Sequence, residues 1–385
     1  MRAAGASADG PLAGVRVIEL AGIGPGPFAA MLLADLGAEV IRVERPQGSG
    51  SMIPPQLDAL RRSRKSVILD LRSASGVGVL LRLVEQADVL IEGYRPGVTE
   101  RLGVGPDECL AHNPRLIYGR ITGWGQDGPL AETAGHDISY LAITGARHAI
   151  GRSHERPVVP ANLLGDYAGG SLYLVIGVLA ALLEVARSGQ GQVVDAAIVD
   201  GAASLTTVLH GLMSAGLWRD QRGVNSSDTG RPWYDVYETS DGKYVAVGPV
   251  EPKFYTAFMT LLSLDPDEKR RDDPDAWPAM RLEIAGAFDQ RTREEWMRVF
   301  EGSDACVSPV LSLTEAPRHP HLVDRQTFVD VNGVRQPGPA PRFSRTPAGL
   351  PRPPTAPGAD TRETLLALGF HDADALIRSG AAIEG

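Results

Sequence analysis

Between residues 15 and 124 the chain repeats one pattern, a short β-rich run followed by a stretch with helical apolar spacing. The β-rich runs are VRVIEL (15–20), EVIRVE (39–44), SVILDL (66–71), DVLIEGY (88–94) and LIYGRITG (116–123). Helical patterns separate them at PFAAMLLADLG (27–37), where Pro27 suits a helix start, at 73–87 and at 106–112. Strands that alternate with helices pack as a parallel sheet, because parallel neighbours need a long crossover between them. The expected fold class is therefore α/β, with ligands at the carboxyl ends of the strands.

The rest of the chain departs from that rhythm. An apolar helix at 171–186 closes the alternating part. QVVDAAIVDGAASLTTVLHGLMSAGLW then reads as one strand and a long bridging helix. A new unit begins near Arg231, where WYDVYETSDGKYVAVG makes two alternating strands around Asp241-Gly242, a hairpin signal. Helical segments follow at 254–263 and 277–300. Eight prolines between Gln336 and Gly358 predict an extended strap. DTRETLLALGF restarts a helix, with Asp360 and Glu363 spaced as a capping box. At 385 residues the chain exceeds one ordinary core. The expected organisation is a large domain over 1–190 rejoined by 330–385, a linker helix over 191–230, and a smaller α+β domain over 231–329.

Charge and composition exclude several classes. A net charge of −9 argues against nucleic acid as a partner. Residues 1–101, however, carry 12 Lys/Arg against 11 Asp/Glu, so an anionic ligand is to be sought there. Cys109 and Cys306 are too few for a disulfide framework or a thiolate metal site. The histidines show no zinc spacing, and no Gly-x-Ser-x-Gly elbow occurs, so no metal is expected. The start, MRAAGASADGPLAG, has no apolar h-region, and the greasiest run, Leu172–Leu183, is 12 residues, short for a membrane span. The default reading is a soluble, cytoplasmic chain.

Three stretches carry candidate chemistry. ELAGIGPGPFAAMLLADLGAEVIRVE invites a dinucleotide reading, but Pro27 stands where the third glycine of G-x-G-x-x-G belongs. Basic residues gather near strand ends: Arg45, RRSRK (61–65), Arg72, Arg95 and Arg101. They suit a polyanion such as a chain of phosphates, or else a solvated face. GHDISYL places His136 beside Asp137 at a helix start, and NLLGDYAGGS places Asp166 in a Gly-rich turn. His136 and Asp166 suit general acid–base work. A helix start and a cap explain them as well.

At these residues the sequence resembles the family III CoA-transferase fold group, and within it the α-methylacyl-CoA racemases. The resemblance runs from about residue 11 to about 346 and rests on the combination of PLAGVRVIELAGIGPGPFAAMLLADLGAEVIRVERP, ADVLIEGYRPGVTERLG, AGHDISYLAITG, NLLGDYAGGS, YETSDGKYVAVGPVEPKFY and SDACVSPVLSL. It implies an interlocked homodimer, each chain with a large Rossmann-like parallel-sheet domain and a smaller one. It implies an acyl-CoA thioester as ligand, with Ile23, Arg45, Leu69, Asp70, Leu71, Arg72, Gly93, Tyr94, Arg95, Arg101, Gly135, Ile138, Ser139 and Tyr140 at the CoA-binding positions. His136 and Asp166 would be the two catalytic groups. Asp137 would contribute a backbone N–H at the enolate oxygen, and Glu251 would come from the other subunit to pair with the histidine. No cofactor is implied beyond the CoA of the substrate. The alternative within the group is a CoA-transferase in which Asp166 is a nucleophile. The histidine at 136 tips the resemblance toward racemase.

Overall fold

The computed structural model describes residues 10–48 and 50–385, so most of the leading stretch MRAAGASADGPLAG, expected to hold no secretory signal, lies outside the described residues. The chain forms two compact units. One comprises the chain up to Thr144 with Pro160–Leu205 and Gln326–Gly385; the other comprises Gly145–Val159 with Thr206–Arg325. The segment 145–159 thus departs from the large domain of the sequence expectation. Part of the reason is Arg152, which pairs with Asp235 of the second unit at 2.8 Å.

The first unit is built on a sheet of seven strands. In chain order these begin with β1 (Arg16–Leu20), β2 (Glu39–Glu44), β3 (Arg64–Leu69), β4 (Val89–Glu92), β5 (Ile117–Thr122) and β6 (Gln192–Ala197), all paired in parallel. A two-residue strand, Ala382–Ile383, adds antiparallel to β3 and covers that edge. Across the sheet the order is Ala382–Ile383, β3, β2, β1, β4, β5, β6. The chain therefore runs outward from β1 to β3, then returns to β1's other side at β4. That reversal opens a crevice at the carboxyl ends of β1 and β4, where open parallel sheets bind ligands.

The central strands are apolar on both faces because helices cover both. Ile18, Ile41, Val67 and Leu90 pack with Leu80 and Leu83 of the helix Ala74–Val84 on one side. Val17, Val40, Val89 and Ile117 pack with Leu33 of the helix Pro25–Asp35 and Leu174 of the helix Leu172–Ser188 on the other. The apolar segment Leu163–Ser188 is long enough, at 26 residues, to cross a bilayer by length and composition. Its Leu174, Val178, Ala181 and Val185 are instead spent on the sheet.

The run RRSRK is neither a solvated loop nor a phosphate clamp. Strand β3 starts at Arg64, two residues before the expected start, and Arg61, Arg62 and Arg64 are at most 4% exposed. Each faces a buried carboxylate. Arg61 pairs with Glu44, Arg62 binds Asp35 with Nε to Oδ1 at 3.0 Å, and Arg64 shares Glu19 with Arg42. Lys65 is nearer the surface and pairs with Glu39 at 2.8 Å. Burial without partners would be prohibitive for these cations, and the partners come from β1, β2 and the helix Pro25–Asp35.

Two other local expectations are corrected. Asp360 does not close a capping box, because its Oδ2 accepts the Ser66 N–H of β3 at 2.8 Å. The expected linker helix is β6 followed by two helices, Ile198–Ser204 and Thr207–Ser214, with β6 hydrogen-bonded to β5 as part of the first unit. The strap residues 338–357 form neither helix nor strand.

The second unit contains a three-stranded antiparallel sheet of Asp235–Glu238, Tyr244–Val247 and Val307–Pro309. Helices Pro252–Leu261, Trp277–Phe288 and Arg293–Phe300 supply most of its aromatic core, including Tyr255, Phe258, Phe288 and Trp296. The helical pattern at 277–300 breaks in two where Thr292 and Glu295 form a capping box.

Candidate active site

The crevice between β1 and β4 is an open cleft of about 420 Å³. Its floor is the turn after β1. Gly24 there has φ 74° and ψ −118°, a conformation that disfavours any side chain, and a Cβ at this position would sit 3.5 Å from Asp166 Oδ2. One wall is the turn after β4. Glu92, fully buried at the end of that strand, accepts the Tyr94 N–H at 2.6 Å and Arg120 Nε at 2.7 Å. Burial pushes its carboxyl above the usual range despite Arg120. Tyr94 in turn donates its hydroxyl to the Ala21 carbonyl at 3.2 Å, fastening the two turns together.

The facing wall carries the two proton-transfer candidates. His136 has extended backbone directly before the helix Asp137–Ile143, and its side chain does not cap that helix. It is left to face the cleft. Asp166 lies not in a tight turn but in a wide, π-helical coil, Leu163–Ser171, in which Tyr167 N–H reaches back five residues to Asn162 O at 3.3 Å. Ser171 does not act as a side-chain cap for the helix that follows. Its hydroxyl bonds the Asp166 carbonyl at 3.0 Å and the Pro25 carbonyl at 2.8 Å. Such coils recur at functional sites because they turn a side chain out of the regular helical register.

The two candidates are tied by Asp137. Its Oδ2 accepts the backbone N–H of Asp166 at 2.8 Å, an approach open only because residue 165 is glycine. A Cβ at Gly165 would fall 2.3 Å from that oxygen. Burial raises the Asp166 pKa to about 6, and the charge of Asp137 adds to this. His136 and a hydrogen bond from Asn162 oppose it. The carboxyl therefore titrates close to neutrality, where a proton carrier is most effective.

That shift has a consequence for stability. A carboxyl with a raised folded-state pKa contributes stability below its unfolded value, near 3.9, and loses it as pH rises through about 6. Asp166→Asn should therefore be more stable than wild type at pH 8, by on the order of 1 kcal/mol after screening, with the gain absent at pH 4. Thermal melts at the two pH values measure it; an equal difference at both would remove the electrostatic explanation.

Of the residues expected at the site, Ile23, Arg45, Gly93, Tyr94, His136, Tyr140 and Asp166 line this one cleft. Arg95 and Gly135 line an adjoining hollow of about 110 Å³ with Tyr94 and Tyr140. Tyr140 stacks edge-on to Trp124, and burial, then the Asp166 charge, raises its pKa. Leu69, the last residue of β3, and Leu71 beyond it are core side chains, so only their backbone and the neighbouring Asp70 and exposed Arg72 can meet a ligand. Ile138 and Ser139 follow Asp137 on its helix without lining the cleft, and Arg101 is exposed at the end of the short helix Val98–Arg101. Arg45, Arg72, Arg95 and Arg101 make no ion pair among the described residues, unlike the buried arginines. Glu251 belongs to the second unit, at the start of the helix Pro252–Leu261, exposed and without a side-chain hydrogen bond to that helix. Sequence reasoning missed Asn162, Glu92 and Arg120. Only Asn162, four residues before Asp166, had a spacing that pointed to it.

Comparison with known proteins is consistent along nearly the whole chain. A family model described as CoA-transferase family III matches residues 12–361. The chain is 45% identical to an alpha-methylacyl-CoA racemase of Mus musculus over 369 residues, 95% of each chain. It is 44% identical to the alpha-methylacyl-CoA racemase of Homo sapiens, covering 93% of this chain and 94% of that one. A succinyl-CoA:glutarate CoA-transferase of Mus musculus is 30% identical, over 92% of this chain and 86% of its own. Among solved structures, a CAIB/BAIF family protein from Brucella suis superimposes with a TM-score of 0.82 at 26% identity, covering 94% of this chain and 100% of that one.

Proposed function

The chain belongs to CoA-transferase family III, and we propose that within it this protein interconverts the R and S forms of 2-methylacyl-CoA thioesters. The observation that carries the proposal is the pair His136 and Asp166 on one cleft, with the Asp166 carboxyl titrating at about 6. Alpha-methylacyl-CoA racemases as the more similar relatives support the same choice. Inverting a carbon centre requires a base on one side and an acid on the other, because one base returning its own proton restores the same configuration. His136 takes the α-proton of the S thioester while protonated Asp166 delivers one to the opposite face; the reverse reaction exchanges the roles. The pair holds one mobile proton in total, so its two arrangements must be close in energy. The Asp137 N–H opens a helix, where no preceding turn supplies an acceptor, and serves the developing enolate oxygen.

A transferase would use Asp166 alone as a nucleophile, whereas a histidine facing the same cleft suits proton exchange between two groups. The experiment that separates the two supplies a free carboxylic acid acceptor with hydroxylamine. A racemase leaves CoA on its acyl group and yields no hydroxamate at Asp166. Transfer of CoA together with a trapped Asp166 adduct would refute the proposal.

The CoA portion lies over the carboxyl ends of the strands in this reading, held by Arg45, Arg72, Arg95 and Arg101, which have no ion-pair partner among the described residues. Arg45→Ala or Arg101→Ala should weaken acyl-CoA binding several-fold, more at 20 mM than at 500 mM salt, and leave the free acid's weak binding unchanged. Calorimetric titration reads this directly, and equal affinity for acid and thioester would contradict it.

The protein acts as a homodimer in which the partner's Glu251 pairs with His136 and stabilises its imidazolium. The exposed carboxylate of Glu251 supports this, as do the exposed Leu172, Ile176 and Leu183 on an otherwise packed helix. Co-expressed His136→Ala and Glu251→Gln chains should then partly complement, since one site of the mixed dimer keeps both residues. Mixed dimers no more active than either parent would exclude a shared site.

A further inference from the structure

Asp137 is only 8% exposed, yet it makes no ion pair among the described residues. Its Oδ2 holds one hydrogen bond, from the Asp166 N–H, and its Oδ1 is buried with no partner among the described residues. That is unusual economy for this chain. The other buried carboxylates near the sheet ends, Glu19, Asp35, Glu44 and Glu92, each face at least one arginine. Nor is the contact incidental, because the coil comes down on the Asp137 carboxylate at a glycine, and a Cβ on Gly165 would be 2.8 Å from Asp137 Cγ.

An uncompensated buried acid is tolerated where its charge has work to do on a neighbour. The neighbour here is Asp166. The groups that face Asp166 are His136 and Tyr140 from the same helical segment as Asp137, Asn162 from its own coil, and Arg45 across the cleft. Asp200, on the packed helix Ile198–Ser204, points to solvent. His136 in its charged form and the hydrogen bond from Asn162 draw the proton off Asp166. Asp137 is the acid placed to oppose them.

We propose that Asp137 is the positioning residue that balances the catalytic pair: its carboxylate fixes the backbone of Asp166, and its unneutralised charge keeps a proton on Asp166 while His136 is neutral. This rests on the racemase reading of the same site. Without that charge the proton passes to His136, and the arrangement that accepts a proton from the S thioester is depleted. Burial of Asp166 and the Asp137 charge act in the same direction.

The test is Asp137→Asn, whose side-chain oxygen still accepts the Asp166 N–H. Acyl-CoA affinity and melting temperature should stay near wild type. The bell-shaped pH profile of kcat/KM for α-proton exchange should move to lower pH, by on the order of 0.5–1 unit. A reduced rate with the limbs unmoved would make Asp137 merely structural and overturn the proposal. Asp137→Ser, with a hydroxyl oxygen in place of the carboxylate, should show the same acid shift. If neither variant folds, carboxyl ¹³C titration of the wild type decides, with the Asp166 signal identified by its loss in Asp166→Asn. An Asp166 carboxyl titrating at the ordinary aspartate value overturns the proposal. Wild-type protein that exchanges no α-proton at any pH condemns the racemase reading itself; exchange with an unmoved profile condemns only the role of Asp137.

Discussion

His136→Ala and Asp166→Ala should each lower racemisation by about 10²–10⁴, the usual contribution of a positioned acid or base, while acyl-CoA affinity changes by less than tenfold. The asymmetry follows from where the two groups sit. Both line the cleft, but Arg45, which lines it with them, follows β2 and is a separate residue, so removing a proton carrier leaves that cation in place. Each variant keeps one carrier. It should therefore still exchange the α-proton of one enantiomer with solvent while hardly inverting it, and the two variants should favour opposite enantiomers. Loss at Asp166 alone, with His136→Ala near wild type, is the pattern of a nucleophilic aspartate and would contradict the two-carrier account.

Glu19→Ala should cost about 3–5 kcal/mol of stability, the range for breaking a buried ion pair from one side. Glu19 is fully buried and is the shared anion of Arg42 and Arg64, themselves 3% and 4% exposed. The same guanidiniums reach the turn that floors the cleft and the first turn of the helix after it, Arg42 to the Gly22 carbonyl at 3.3 Å and Arg64 to the Pro27 carbonyl at 2.5 Å. Removing the anion leaves Arg64 with no ion pair among the described residues and Arg42 with only Glu44 at 3.9 Å, and it loosens that turn, so ligand affinity should fall with stability. The control is Arg362→Ala, whose pair with Asp374 is about half exposed on both sides and should be worth under about 1 kcal/mol. Denaturant melts of the two variants compare them, and a Glu19→Ala loss no larger than that of Arg362→Ala would refute the network's role.

The parallel sheet was legible because its strands are short β-branched runs divided by helical spacing, and its first five strands lie within a residue or two of their patterns. The proposed proton-transfer pair stood out as residue types, His136 at a helix start and Asp166 among glycines, but their common cleft did not. Local pattern carries no information on which loops the strand order brings together. The run RRSRK misled for a related reason. A charge run reads as solvated, and nothing nearby announces Glu19, Asp35 and Glu44, which lie 17 to 45 residues earlier. The coil at Leu163–Ser171 escaped because its hydrogen bonds span five residues, a period that apolar spacing of 3.6 does not signal. Asp360 had the spacing of a cap, but the approach of β3 offered its carboxylate a different donor. The two-residue strand at Ala382–Ile383 is shorter than any alternation can mark.

The central claim is that this protein moves one proton across an α-carbon through two groups. It is tested most directly by incubating wild-type protein with a single enantiomer of a 2-methylacyl-CoA in D₂O and reading configuration and deuterium together. The account predicts approach to a near-equal mixture of R and S thioesters, with deuterium entering at the α-carbon and the thioester intact. Retained configuration with no deuterium at the α-carbon would contradict it.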